Sequence, residues 1–498
     1  MKALLVCPEY ADDFWTMKHA LEFVSRKADE PPLGLLTVAS MLPADWELKL
    51  VDMNVTGLID EDIRWADYVF IGAMVAQRDS TKEVIARCRA MGRKTVGGGW
   101  LFTSFPEEFP EVDYLVLNEA ESSLPSFLKD LARGCARRMY TSDARPELRL
   151  TPLPRWSLID MSRYSVMNMQ YSRGCPFNCD FCQVSVVQGR QSRTKTVAQV
   201  VAELNALYHA GWRGAVFVVD DNFIGNRKAV KSEILPVIIN WQKERHFPFN
   251  FITQLSMDLA DDGQLMDLLA EAGFNLVFLG IETPHEESLA LCGKSQNLHR
   301  DLVGQVKSIQ RHGLETMAGF IVGFDTDPPS IFRQQTDFIQ QSGIPIAMVG
   351  LLNAPPGTRL HRRLEQEGRI LQVTATGSNT DCFTNIIPKM GREALMDGYR
   401  CMVRTLYEPR NFYARVLSFL KEFRSYSRPG GRVRFWEIAA FLRSTWRLGV
   451  REKERRYYWR LLIWVLLRRL ELLATFIALA IKGYHFRRFA ERQFIGSA

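Results

Sequence analysis

Short apolar runs separated by helix-length segments form two series along the 498-residue chain. The first series contains five runs, at residues 3–7, 47–51, 68–72, 95–96 and 114–117. Because strands that alternate with helices generally pair in parallel, residues 1–132 predict a doubly wound, Rossmann-like α/β domain. Ligands of such a sheet bind beyond the carboxyl ends of its strands, so the loops that follow these runs are candidate binding segments.

The second series predicts a partial (β/α)6 barrel over residues 161–371. Its six apolar runs lie at residues 167–171, 215–219, 250–255, 276–280, 315–321 and 347–351. Residues 133–160 are rich in proline and arginine and predict a linker between the two domains. Active sites of such barrels lie at the carboxyl ends of the strands, so polar residues that directly follow a run are candidate site residues.

Residues 372–498 predict a mainly helical C-terminal extension, interrupted at Pro429-Gly430-Gly431. Residues 421–498 hold 18 Lys and Arg against 6 Asp and Glu, whereas the net charge of the whole chain is only +7. Four tryptophans are interleaved with the arginines: Trp436, Trp446, Trp459 and Trp464. Such an extension either lies on a membrane surface or packs on the barrel as a helical subdomain. Charged residues interrupt its apolar runs, so we expect no simple transmembrane helix.

Composition indicates a globular protein of a reducing compartment. Hydrophobic residues make up 47% of the chain, which is ample for cores of this size. Six of the nine cysteines are scattered without a repeating framework, and the N-terminus opens as a strand rather than as a cleavable signal. Because disulfide frameworks belong to oxidising compartments, we expect a cytoplasmic protein.

The other three cysteines form a C-x3-C-x2-C motif directly after the first predicted barrel strand, at Cys175, Cys179 and Cys182. Thiolates are ligands of iron–sulfur clusters and of zinc. A structural zinc site normally adds a second cysteine pair or histidines, and none stands nearby. Three thiolates therefore suit a cluster that needs four ligands and keeps one iron open. The alternative is a coincidental group of buried structural cysteines.

This spacing resembles the radical S-adenosylmethionine (SAM) superfamily. The resemblance implies a 4Fe–4S cluster whose open iron chelates SAM, and an electron that releases a 5′-deoxyadenosyl radical. It also implies six candidate SAM-binding residues, five of them at strand ends: Phe181, Asp220, Asp221, Gln254, Ser256 and Glu282. Asp220 and Asp221 could equally form a turn or a helix cap.

A Rossmann-like domain before such a barrel resembles the cobalamin-binding radical SAM class, as does the segment Pro31–Leu36. The resemblance implies cobalamin bound at seven candidate residues: Val75, Ala76, Gln77, Gly97, Gly98, Asn118 and Glu119. The D-x-H-x-x-G motif that would supply a cobalt-ligating histidine is absent, and His19 is the one histidine of this domain. We therefore expect residues 74–78 to face the cobalamin. The alternative is a degenerate domain kept for packing.

Over nearly its whole length the chain is similar to the subgroup that contains the hopanoid C-2 methyltransferase, for example at Phe14-Trp15 and at residues 50–55. The resemblance implies a C-methyltransferase for an unactivated carbon of a lipid-like substrate, such as a hopanoid. The deoxyadenosyl radical would remove a hydrogen atom, methylcobalamin would supply the methyl group, and flavodoxin or ferredoxin would supply electrons.

Two other functions stay open at this point. A cobalamin-binding radical SAM cyclase or rearrangement enzyme would use the same cofactors without methyl transfer. A tRNA-modifying methylthiotransferase is disfavoured because such enzymes need a second cysteine triad, and we expect no nucleic-acid partner.

Overall fold

A computed structural model describes residues 1–371, 377, 380–426 and 435–495. The predicted break at Pro429-Gly430-Gly431 and the predicted domain boundary at residue 372 lie outside the described residues.

The N-terminal region is a six-stranded, fully parallel sheet flanked by helices, with strand order β2-β1-β3-β4-β5-β6. Its strands are β1 (Lys2–Cys7), β2 (Glu47–Asp52), β3 (Tyr68–Gly72), β4 (Lys94–Gly98), β5 (Tyr114–Val116) and β6 (Met139–Tyr140). Its helices are α1 (Lys18–Val24), α2 (Leu33–Met41), α3 (Asp60–Trp65), α4 (Arg78–Ala90), α5 (Trp100–Ser104) and α6 (Ala120–Ala132). The two-residue β6 is too short to show as a pattern, and it lies inside the segment predicted as a linker.

Both faces of this sheet are buried, which explains why its strands are continuous apolar runs rather than alternating ones. In β1, Leu4 and Val6 pack into one core while Ala3 and Leu5 pack into another on the opposite face. Leu5 lies between Leu50 of β2 and Phe70 of β3 in register. The sheet is therefore covered by helices on both sides, as the doubly wound prediction requires.

The second sheet is also six-stranded and parallel, with strands in the order β14-β13-β12-β11-β10-β7. Its strands are β7 (Val166–Met169), β10 (Ala215–Val218), β11 (Asn250–Leu255), β12 (Phe274–Glu282), β13 (Glu315–Val322) and β14 (Ile346–Leu351). Between β7 and β10 lies an antiparallel pair, β8 (Ser172–Arg173) and β9 (Arg193–Thr194). Because β7 and β14 are both edge strands, the sheet corresponds to a barrel that is not closed.

Helices follow the barrel strands in alternation. They are α7 (Val184–Val187), α8 (Val197–His209), α9 (Arg227–Ala229), α10 (Leu235–Glu244), α11 (Gly263–Ala272), α12 (Glu286–Leu291), α13 (Leu302–Arg311), α14 (Ile331–Ser342) and α15 (Arg359–Gln366). Several begin at side-chain caps that the sequence supplies, as where Thr196 and Gln199 form a capping box at the start of α8. The alternation places the loops after the strands on one rim of the sheet.

The C-terminal extension is helical, and its helices pack against both preceding regions. They are α16 (Arg392–Tyr407), α17 (Pro409–Glu422), α18 (Phe435–Trp446), α19 (Arg455–Arg468) and α20 (Leu473–Ile495). The largest hydrophobic core joins the barrel to these helices and to the segment around Phe14, whose ring stacks on that of Phe486 with centroids 4.2 Å apart. Among the helices described, none is both long and apolar enough to span a membrane.

Candidate functional site

The cysteine motif lies in the loop between β8 and β9, and its backbone is fixed at both ends. Gly174 has φ +92°, and a Cβ there would lie 2.6 Å from the carbonyl oxygen of Gln191. Only glycine suits such a position. The Cys175 N–H donates to Gly189 O at 3.2 Å, and the Asp180 N–H donates to Cys292 O at 2.9 Å. The loop therefore presents its three cysteines from a well-supported turn.

All three motif cysteines are free thiols, with Cys179 buried and the other two half-buried. Burial raises the pKa of all three, that of Cys182 to about 12. Desolvated thiols of this kind lose their protons when a cation replaces them, as iron does in a cluster. Three thiols presented by one loop therefore fit a cluster that is held by three cysteines.

A buried lysine that the sequence patterns did not reveal lies beside these thiols. The Lys294 Nζ is 2.6 Å from Glu282 Oε1, and both side chains are about nine-tenths buried. Burial lowers the pKa of Lys294, but the Glu282 carboxylate and the neighbouring thiols outweigh burial and keep it well above its usual range. Gln296 Nε2 lies 3.9 Å from Cys179 Sγ. No motif marks Lys294, because it reaches the site from the segment after α12.

Glu282 ends β12 with an unusual backbone. Its φ is +67°, and the register between β12 and β13 shifts between Gly280 and Glu282. A positive φ at a residue other than glycine is a strained arrangement that often accompanies functional sites. The bulge turns the Glu282 side chain toward Lys294 and the cysteine loop. A Cβ on Gly280 would lie 2.8 Å from both Glu282 Oε1 and Lys294 Nζ, so glycine makes room for the ion pair.

The acidic pair that follows β10 divides into two environments. Asp220 is fully buried and accepts hydrogen bonds from the Tyr171 N–H at 2.8 Å and the Ser172 hydroxyl at 2.6 Å. Burial raises its pKa to about 7. Asp221 accepts from the Gly174 N–H at 3.2 Å and lines the large cavity described below. Both oxygens of Asp220 thus brace the strand that precedes the cysteines, whereas Asp221 faces open space.

The remaining SAM candidates also differ in their surroundings. Ser256 is buried and bonded to Asn222, whose Nδ2 donates to Ser256 Oγ at 3.1 Å. Gln254 is half-buried on β11. The Phe181 ring packs against Phe324 with centroids 6.2 Å apart. The fold brings these side chains to one rim, but only Asp221 of the six candidates lines the cavity.

A cavity of about 1030 Å³ lies between the carboxyl edge of the N-terminal sheet and the cysteine loop. It is lined by all seven cobalamin candidates: Val75, Ala76, Gln77, Gly97, Gly98, Asn118 and Glu119. Gln183 and Gln188, from the segment after the cysteines, line the same space. The cavity thus connects the two halves of the site, and its size suits a large cofactor bound beside the N-terminal sheet.

Several of the seven side chains also hold the protein itself together. The buried Gln77 Oε1 accepts from the Met74 N–H at 2.8 Å, and its Nε2 lies 3.3 Å from Cys7 Sγ. A Cβ on Gly97 would lie 2.8 Å from the Phe102 ring, so packing by itself favours glycine there. His19 does not line the cavity and instead packs against His485 of α20.

Glu119 belongs to a buried ion-pair network that joins the two domains. Arg173 Nη1 lies 2.7 Å from Glu119 Oε2, and Arg193 Nη2 lies 2.6 Å from Glu119 Oε1. Arg173 Nη2 also lies 2.8 Å from Glu121 Oε1, and all four side chains are at most 14% exposed. Arg173 stands two residues before Cys175. The network therefore ties the cysteine loop to the N-terminal sheet through Glu119 and Glu121.

The sequence patterns did not predict one polar part of the cavity wall, which Asn168 and Glu30 form. Asn168 of β7 donates from Nδ2 to Glu30 Oε2 at 3.0 Å, and Asn168 Oδ1 has no partner among the described residues. Burial, followed by the charge of Asp29, raises the pKa of Glu30 to about 7. The apolar rings of Trp15 and Phe217 line the same cavity. Two acids before a proline pair carry no sequence signal for such a role.

Three family models match the chain in consecutive segments. A B12 binding domain matches residues 23–128, the radical SAM superfamily matches residues 169–338, and a domain of unknown function (DUF4070) matches residues 358–495. The fold, the cysteine loop and these matches together define the class: a radical SAM enzyme with an N-terminal cobalamin-binding domain.

Curated relatives narrow this class. The chain is 39% identical to an uncharacterized methyltransferase of Synechocystis sp., over 100% of this chain and 94% of that one. It is 34% identical to the hopanoid C-2 methylase of Rhodopseudomonas palustris, over 76% of this chain and 73% of that one. The chain therefore belongs to the cobalamin-dependent radical SAM methyltransferase family, and its cofactors are a 4Fe–4S cluster, SAM and cobalamin.

Solved structures share the fold. The cobalamin-dependent radical SAM enzyme OxsB, with aqua-cobalamin bound, superposes with a TM-score of 0.63 at 14% identity and covers 100% of this chain and 81% of its own. The radical SAM methyltransferase TsrM of Kitasatospora setae, with cobalamin and a 4Fe–4S cluster bound, gives 0.58 at 16% identity, over 75% of this chain and 79% of its own. The predicted fold class is thus confirmed.

Proposed function

We propose that this enzyme methylates an unactivated carbon of a lipid-like substrate and that C-2 of a hopanoid is that carbon. The overall change replaces one C–H bond of the substrate by a C–CH3 bond. The observation that carries the proposal is the cavity at the N-terminal sheet edge, which Gln183 and Gln188 of the cysteine loop also line. The hopanoid assignment is supported by the 34% identical hopanoid C-2 methylase of Rhodopseudomonas palustris.

In this proposal Cys175, Cys179 and Cys182 hold the cluster through their sulfurs. The buried Lys294 ammonium favours the thiolate forms of these cysteines because a positive charge stabilises a nearby anion. Glu282 fixes that ammonium through its 2.6 Å ion pair. When bound, the cluster and SAM supply one-electron cleavage of a sulfonium, and cobalamin supplies a methyl carrier.

The remaining candidates receive two kinds of role. We assign Asp221, Gln254 and Phe181 to SAM contacts, and Asp220 and Ser256 to positioning the rim on which SAM lies, since their own hydrogen bonds are made within the protein. On the other side, Val75, Ala76, Gly97, Gly98 and Asn118 would contact cobalamin directly. Gln77 and Glu119 would act by fixing the loops that surround it.

The cavity wall beyond these residues suits an apolar substrate. Trp15 and Met74 line it with large apolar side chains that are 42% and 44% exposed, and Phe217 joins them from β10. Because a hopanoid resides in a bilayer, we further propose a cytoplasmic enzyme whose C-terminal extension contacts the membrane. A flavodoxin or ferredoxin would serve as the electron donor.

Anaerobic reconstitution with cluster and cobalamin, followed by incubation with methyl-labelled SAM, a one-electron donor and a hopanoid, tests this function. We expect a product one methylene heavier that carries the label, together with 5′-deoxyadenosine. Label that never reaches cobalamin would disprove the mechanism, while label on cobalamin without a heavier hopanoid would disprove the substrate.

The same experiment separates a cyclase or rearrangement enzyme from a methyltransferase. A rearranged product of unchanged carbon count would favour the alternative. Anaerobic magnesium-protoporphyrin IX monomethyl ester cyclase of Synechocystis sp. is a more distant relative, 22% identical over 63% of this chain. Methyl transfer therefore remains the better-supported chemistry.

A further inference from the structure

Exposed apolar side chains are concentrated on two C-terminal helices. Of the 21 large apolar side chains exposed in the described part of the chain, nine fall between residues 438 and 470. They are Ile438, Leu442, Trp446, Val450, Trp459, Ile463, Leu466, Leu467 and Leu470. Leu442, Trp446 and Leu467 are 61%, 60% and 77% exposed. Scattered apolar residues need no explanation, but a patch of this density marks an interaction surface.

The spacing of these residues shows that each helix is apolar on two sides. In α18 and the π-helical turn that continues it, the exposed residues recur every four positions from Ile438 to Val450. Their buried counterparts Ala440, Ser444 and Leu448 face the protein at the same spacing. In α19 the buried side holds Tyr458, Leu461, Leu462 and Val465. The inward stripe is sufficient to pack each helix, so the outward stripe serves another purpose.

The two outward stripes form one surface, here called the α18–α19 face. Trp459 at the start of α19 donates from Nε1 to Gly449 O at 2.8 Å, next to Val450 at the end of the α18 stripe. Thr445 Oγ1 and the Tyr458 hydroxyl lie 3.0 Å apart beneath this junction. The contact fixes the two helices relative to one another, and the exposed Val450 and Trp459 lie side by side at the junction.

Basic side chains without ion-pair partners accompany this patch. Five are exposed and make neither an ion pair nor a side-chain hydrogen bond within the described ranges: Arg451, Lys453, Arg455, Arg460 and Arg468. Elsewhere in the extension, Arg487 pairs with Glu452 at 2.7 Å and Lys482 with Glu315 at 3.0 Å. The exposed Arg392, Arg410 and Lys421 make no ion pair among the described residues. Five unpaired cations thus lie within residues 451–468, in the segment that carries the apolar stripes.

We propose that the α18–α19 face binds the surface of an anionic lipid bilayer. Its leucines and isoleucines would enter the boundary between headgroups and acyl chains, its tryptophans would lie at headgroup level, and its arginines would contact lipid phosphates. A protein partner or a second copy of the chain would need acidic groups opposite five clustered cations, whereas anionic lipid offers them at any orientation. This deepens the membrane contact proposed above by assigning it to one face, and it stands whatever the substrate is.

Vesicle flotation with the full-length, cofactor-loaded enzyme tests the proposal. Phosphatidylcholine vesicles with and without phosphatidylglycerol are the probes. We expect flotation with the anionic vesicles that weakens as salt rises. The double variant Leu442→Glu/Leu467→Glu should bind about tenfold less tightly or worse, and Arg460→Glu/Arg468→Glu should lose the preference for anionic lipid. Leu150→Glu, at a 66% exposed leucine outside the C-terminal extension, is the matched control and should float as the wild type does.

Two results would overturn the proposal. One is equal flotation of the wild type and of the Leu442→Glu/Leu467→Glu variant when both retain cofactor absorption. The other is a wild-type dimer in light scattering that this variant converts to a monomer, since a second copy would then cover the face. Methyl transfer to a detergent-dispersed hopanoid, measured on the same variants, keeps this outcome separate from the function, because transfer should persist where flotation is lost.

Discussion

The cysteine-loop region and the α18–α19 face depart from ordinary protein surfaces in opposite directions. Around the loop, charged groups are buried: Arg173, Glu119 and Glu121 have side chains 14%, 11% and 4% exposed. On the face, Leu467 is 77% exposed. Charged groups are rarely buried unless paired, and large apolar patches are rarely exposed on monomers.

The two departures differ in whether the protein itself compensates for them. Arg173 and Arg193 beside the loop pair with Glu119 and Glu121 of the N-terminal domain, so this network is complete within one chain and fixes the domains around the cavity. The exposed leucines and tryptophans have no such complement in the described residues. The first region is therefore organised for an internal cofactor site, and the second requires an external partner.

Equivalent cysteine substitutions inside the cysteine loop and on the C-terminal extension should have the most unequal effects. Cys179→Ala removes one of three thiolates, so we expect complete loss of the cluster and of methyl transfer. Cys401→Ala, at an exposed cysteine of α16, should leave both unchanged. Iron content and visible absorption after anaerobic reconstitution measure the difference. Retention of a full cluster in Cys179→Ala would contradict the assignment of the motif.

Arginine substitutions should give the second-largest difference between the two regions, this time in the free energy of unfolding. Arg173→Met leaves Glu121 without its cation in a buried setting, so we expect a loss of about 3 to 5 kcal/mol in the free energy of unfolding. Arg460→Met on the α18–α19 face should change it by less than about 0.5 kcal/mol. Urea unfolding of both variants measures the contrast. Equal destabilisation would show that the network contributes no more than a surface charge does.

The contrast also explains what the sequence could and could not predict. All eleven predicted strands are present, because buried parallel strands give continuous apolar runs, and the cysteine loop follows its strand as expected. The roles of Asp220 and Asp221 could not be separated, since two adjacent residues differ only in whether Tyr171 and Ser172 occupy their oxygens. The positions of Lys294 and of the partners of Glu119 could not be predicted either, because they depend on segments that are distant in sequence and meet only in the fold.

The pH dependence of the unfolding free energy should report on Asp220, the buried carboxyl that braces the loop. Burial raises the pKa of Asp220 to about 7, so the folded state binds a proton more tightly than the unfolded chain, whose aspartate titrates near 3.9. Stability due to this group is therefore present below about pH 4 and is lost as pH rises to about 7, by up to about 4 kcal/mol. Asp220→Asn should remove this dependence because an amide does not titrate.

Urea unfolding between pH 4 and pH 8 measures this effect. The exposed Asp337→Asn variant serves as control and should retain the wild-type profile. A profile for Asp220→Asn that matches the wild type throughout would show that the carboxyl ionises as freely as one in water.

His485 joins the C-terminal helices to the N-terminal domain and should give the smallest of these effects, with the opposite sign. Its Nδ1 accepts from the His19 N–H at 3.3 Å, so its Nε2 carries the proton and donates to Phe14 O at 3.1 Å. Burial lowers its pKa to about 4, so the folded state binds a proton less tightly than the unfolded chain, where histidine titrates near 6.5. Its contribution is complete above about pH 6.5 and decreases by about 3 kcal/mol as pH falls to about 4. His485→Gln should flatten the unfolding free energy over this interval, whereas His299→Gln, at a side chain 88% exposed, should not. An unchanged slope in His485→Gln would mean that the helix and the N-terminal segment separate before the imidazole is protonated.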